Sequence, residues 1–82
     1  MKLAERLAES LRRMRREAGV TQGEMARRLG LSQSTIARAE KGNQNLTLKM
    51  LDELCAALGC ELAELLEPGR VKLRVVRRRP LR

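Results

Sequence analysis

The 82-residue chain contains no tryptophan, tyrosine, phenylalanine or histidine. Without aromatics its core must be aliphatic, and the abundance of Leu and Ala, both strong helix formers, predicts a mainly helical domain. Without histidine a Cys/His zinc site is excluded. The two cysteines, Cys55 and Cys60, are too few for an all-cysteine structural zinc. No Ser or Cys stands beside a plausible general base, so no enzyme, metal or cofactor is expected. No apolar run is long enough to span a membrane, and no signal-peptide pattern is present. The expected setting is cytoplasmic and nucleoid-associated, away from membranes, with both thiols reduced.

What the chain has in excess is positive charge. The formal net charge is +8, which attracts phosphate polymers or anionic surfaces without choosing between them. Its distribution says more. Residues 1–46 carry ten basic and five acidic side chains, residues 47–69 one and five, and residues 70–82 seven and none. The middle segment has the wrong sign to face a phosphate backbone, and the two flanking segments have the right one.

The length argues for one domain with a modest core. Leu3, Leu7, Leu11, Met14 and Ala18 recur at helical spacing, predicting a helix over 3–18 that Gly19 ends. Thr21 and Glu24 form a capping-box pattern for a second helix to about Leu29, with Met25, Ala26 and Leu29 inward. Gly30 supplies the turn, and Ser32 can cap a third helix from residue 33 to about residue 41. The stretch 42–45 is a loop by composition. Thr47 can cap a fourth helix, 48–58, with Leu48, Leu51, Cys55 and Leu58 inward and Leu54 beside them. A short fifth helix over about 61–66 offers Leu62, Leu65 and Leu66, and Pro68 stops it. Val71, Leu73 and Val75 then alternate with other residues, which predicts a short strand before a basic tail.

Two helices joined by a turn over 21–41, with a small Ala26 at the crossing, match the pattern of a DNA-binding helix-turn-helix. The third helix is two-faced. Taking Gln33 as zero and about 100° per residue, Ala37, Lys41, Ser34 and Arg38 fall at roughly 40°, 80°, 100° and 140°. Ile36 and Ala39 fall near 300° and 240° by the same spacing. The polar face carries groups suited to base edges: Gln for adenine, Arg for guanine, Ser for either.

The run TQGEMARRLGLSQSTI at 21–36, continued by ARAEKG at 37–42 and by 48–66, resembles the phage-repressor (Cro/C-repressor, XRE) family of helix-turn-helix proteins. The resemblance covers roughly 3–67. It implies an all-α, five-helix lambda-repressor-like DNA-binding domain over 1–67, followed over 68–82 by the strand segment and tail. It further implies base reading by Gln33, Ser34 and Arg38. Phosphate contacts are expected from Gln22, Ser32, Thr35, Lys41 and Asn43, and from Arg27 because the second helix crosses the DNA backbone. Arg15 and Glu40 match a family ion pair that ties the first helix to the end of the third. Small antitoxin-like members pair through a C-terminal strand, which would give Val71, Leu73 and Val75 a role in dimerisation.

Three readings stay open at this point. The first is a transcriptional regulator, a dimeric repressor bound to a double-stranded DNA operator. The second is an antitoxin with a toxin protein as additional partner. The third is a helical adaptor that binds only protein, against which the intact polar face of the third helix argues. The cluster Arg12, Arg13, Arg15 and Arg16 reads either as a DNA-facing patch or as a solvated helix face.

Overall fold

The computed structural model describes residues 3–42 and 46–73. Within them the chain forms five helices: α1 (Leu3–Ala18), α2 (Gln22–Leu29), α3 (Gln33–Glu40), α4 (Leu48–Leu58) and α5 (Leu62–Leu65). Asn43, Val75 and the basic tail lie outside the described residues. No helix among the described residues is long and apolar enough to cross a membrane.

Local chemistry sets the helix ends. Glu24 N–H donates to Thr21 Oγ1 at 3.1 Å, and Thr21 N–H donates to Glu24 Oε1 at 2.9 Å. This reciprocal pair satisfies two of the donors that a helix start leaves open. The bond from the Thr21 backbone holds the Glu24 carboxyl below its ordinary range. Gly30 takes φ 71°, the left-handed conformation that side chains resist. The chain then returns through Leu31 N–H to the Ala26 carbonyl, 2.9 Å. Ser32 and Thr47 cap α3 and α4 through bonds of 3.1 Å from Thr35 N–H and Met50 N–H.

The core draws on all five helices. Leu7, Leu11, Met14, Met25, Ile36, Leu54 and Leu65 are fully buried. On α1 the expected face is buried at Leu7, Leu11 and Met14, with Ala18 half-buried at its end and Leu3 47% exposed at its start. On α4 the buried face is rotated from the expected one: Met50 and Leu54 are buried, Leu51, Cys55 and Leu58 are half-buried, and Leu48 is 82% exposed. At about 100° per residue, Met50, Leu58 and Leu51 fall within roughly 60° of Leu54, whereas Leu48 falls about 120° away. Leu54, not Leu48, is the centre of that face.

The expected C-terminal strand is overturned. Among the described residues there is no strand, and the chain turns through 66–70. Glu67 N–H bonds to Glu64 O and Arg70 N–H to Glu67 O, both at 3.1 Å. Arg70 is anchored to Glu64 and Glu67 at 3.1 and 3.0 Å, and Lys72 Nζ lies 3.6 Å from Glu17 Oε1. Val71 packs half-buried against the core, and Leu73 joins it at 8% exposure. Val71 and Leu73 thus find their partner in the chain's own aliphatic core. A segment laid over a core shows the same alternation as a paired strand, so spacing alone does not separate the two. Truncating Leu73 to alanine should therefore cost about 2–4 kcal/mol of folding stability through a lost core contact. Denaturant melts measure this; a loss under about 0.5 kcal/mol, the scale of a surface substitution, would place the side chain outside the core.

Candidate nucleic-acid interface

α3 divides its residues cleanly. Ile36 and Ala39 are fully buried, while Gln33, Ser34 and Arg38 are exposed, with Ala37 half-buried among them. Lys41, the C-cap residue, is exposed as well. Apolar anchoring on one side leaves an amide, a hydroxyl and two cations for a partner on the other. Among the described residues Arg38, Lys41, Arg27 and Arg28 enter no ion pair. Within the described residues their charges are therefore not taken up in salt bridges.

The start of α3 gathers three hydroxyls. Ser32 Oγ accepts from Thr35 N–H, lies 2.8 Å from Thr35 Oγ1 and 3.3 Å from Ser34 Oγ. The cap and two of its neighbours thus form one small network at the positive end of the helix, where anionic oxygens are favoured.

The other end of α3 is held by Glu40, whose side chain is 4% exposed. Its Oε2 accepts from Arg15 Nε at 2.8 Å, and its Oε1 accepts from Gln22 Nε2 at 3.0 Å. Its backbone carbonyl accepts from Arg12 NH1. Arg15 NH1 also reaches the Val20 carbonyl at 3.4 Å. Two cations from α1 thus meet the negative end of α3 and its terminal carboxylate, the arrangement that the helix dipole favours. A carboxylate only accepts hydrogen bonds, so the donor end of the Gln22 amide is the end that faces Glu40.

The structure brings Arg15, Gln22 and Glu40 together. It gives Arg12 a partner that sequence reasoning missed, the last carbonyl of α3. The available signal was spacing, since Arg12 and Arg15 lie three apart and so share a face of α1.

Cys55 and Cys60 are free and half-buried. Burial pushes both thiols up, Cys60 to about 11. Both stay protonated near neutral pH and are poor nucleophiles. Two crevices of the described surface are lined by no residue of α3. One of about 250 Å³ is lined by Arg6, Ser10, Arg13 and Leu66 among others, and one of about 620 Å³ surrounds the cysteines. The polar face of α3 stands on a helix rather than in a pocket, as a reader of a groove requires.

Comparison with known proteins agrees with this geometry. The helix-turn-helix family matches residues 11–65. An uncharacterised HTH-type transcriptional regulator of Sinorhizobium fredii is 38% identical over 68 residues, spanning 83% of this chain and 88% of its own. The crystal structure of a hypothetical transcription factor from Neisseria superposes with a TM-score of 0.63 at 32% identity, covering 83% of this chain and 78% of that one. The clp gene regulator ClgR from C. glutamicum superposes at 0.59 and 32% identity, covering 80% and 85%. With α2, the Gly30 turn and a two-faced α3 all inside the matched span, the chain belongs to the XRE-type helix-turn-helix family of DNA-binding transcription regulators.

Proposed function

We infer that this protein is a sequence-specific repressor that lays α3 in the major groove of double-stranded DNA. The observation that carries this reading is the partition of α3: Ile36 and Ala39 are sealed in the core while Gln33, Ser34 and Arg38 stand exposed, beside cations that enter no ion pair among the described residues. In this arrangement Gln33, Ser34 and Arg38 read base edges. Ser32, Thr35, Arg27 and Lys41 contact phosphates and fix the register, joined by Gln22 through the second N–H that its amide keeps beside the one given to Glu40. A single such helix reads only a few base pairs. Two copies related by a two-fold axis, on half-sites about 34–36 Å apart, supply the rest of the specificity.

Selection of bound sequences from random duplex DNA tests the reading. A defined sequence should enrich, and Gln33→Ala and Arg38→Ala should each weaken binding to it by about 1–3 kcal/mol. Binding of either variant to random duplex should change little. Equal losses on both duplexes would reassign these side chains to the backbone, and a selection that enriches nothing would remove the specific-reader claim.

A further inference from the structure

Six glycines stand in the chain. Five of them, Gly19, Gly30, Gly42, Gly59 and Gly69, have positive φ, so backbone conformation accounts for them. Gly23 is the exception. It is the second residue of α2 and its φ is not positive. Alanine would serve a helix better at such a position. A residue that breaks a local preference marks a place where another requirement is being met.

That requirement is visible in what fills the space above it. A Cβ on Gly23 would lie 3.2 Å from Gln33 Oε1 and 3.7 Å from its Cδ, with Thr21 Oγ1 at 3.9 Å. The first side chain of α3 therefore rests in the notch that the missing Cβ leaves on α2. A glutamine on an open surface samples many rotamers, and ordering it against a base costs entropy. One already lodged in a notch gives up less on binding. Its carboxamide must present donor and acceptor together to an adenine edge, and hydrogen bonds weaken steeply with misalignment.

The structure assigns Gly23 as a positioning residue that sets the direction of the Gln33 carboxamide and, through it, the base preference of α3. The assignment rests on the reading of α3 as the base-reading helix. A contact of 3.2 Å is closer than a Cβ tolerates in ordinary packing, so alanine must push the carboxamide aside by a few tenths of an ångström. Because the displaced atoms are the end of a flexible side chain, the fold accommodates the change and the recognition geometry bears it.

The test uses Gly23→Ala, Gln33→Ala and the double variant, each bound to the duplex selected by the wild-type chain and to a random duplex of equal length. Thermal melts accompany the binding measurements. Gly23→Ala should melt at or above the wild-type temperature and bind random duplex as the wild type does. On the selected duplex it should bind roughly three- to tenfold more weakly, part of what losing a bidentate pair costs. In the Gln33→Ala background the same substitution should cause no further loss, because the side chain it acts through is gone. Unchanged binding to the selected duplex, or an equal loss in the Gln33→Ala background, overturns the assignment. Failure of the underlying reading is distinguishable, since a wild-type chain that selects no sequence shows it before any variant is made.

Discussion

Arg15→Ala should destabilise the fold by about 3–5 kcal/mol, because it strands a buried carboxylate. The pair it breaks is 2.8 Å long, with Glu40 4% and Arg15 24% exposed. Such a pair gains little over an apolar substitute when intact, but losing one member leaves the other desolvated and uncompensated. After the substitution only the Gln22 amide would still face the carboxylate. A domain of this size has about 4–12 kcal/mol of total stability, so the loss would be a large share of it. A melting temperature lower by more than about 10 °C would be the corresponding thermal signature. Arg15→Lys keeps the charge but loses the planar fork and should fall between the two. A change under about 1 kcal/mol would mean that the pair behaves as a surface ion pair.

DNA binding should fall about a thousandfold between 50 and 200 mM salt for a pair of copies engaging some six phosphates. That estimate counts Arg27, Arg28 and Lys41 in each copy, which with the base-reading Arg38 set aside are the cations near α3 that enter no ion pair among the described residues. Each phosphate neutralised releases condensed counterions, and the logarithmic slope follows the number of contacts. Lys41→Gln should reduce the slope by about one contact per copy while leaving base preference intact. A binding constant that stays flat across that range would remove phosphate neutralisation from the account, and with it the functional role of the basic face.

Much of this architecture is legible in the sequence because it is decided locally. The Thr21 and Glu24 box, the Ser32 and Thr47 caps and the left-handed Gly30 all satisfy partners within a few positions of themselves. The same holds for the two faces of α3, whose buried and exposed residues separate by angle alone. Where the sequence was ambiguous, the cause was a surplus of apolar residues. α4 carries Leu48, Met50, Leu51, Leu54, Cys55 and Leu58, enough to support more than one inward face, and only packing against the other helices places Leu54 at the centre. Arg12 and Gln22 reach Glu40 across 28 and 18 residues of sequence. No local rule reports contacts at that separation. The segment 71–73 fell to the same difficulty, since its alternation says nothing about which apolar surface it meets.

The division of α3 also bears on how such a protein changes over generations. Ser34 and Arg38 stand exposed and take no part in the core, whereas Ile36, Ala39 and Glu40 carry the attachment to the rest of the domain. Substitutions on the outer side can thus redirect the protein to new target sites with little effect on whether it folds, since surface changes of this kind usually move stability by no more than about 0.5 kcal/mol. On the proposed reading of α3, specificity and stability are inherited on separate sets of positions, and new binding preferences can be explored one residue at a time without passing through unfolded intermediaries. Gln33 is the position where that independence is incomplete, because its side chain leans on Gly23, and a lineage altering either residue has to accommodate the other.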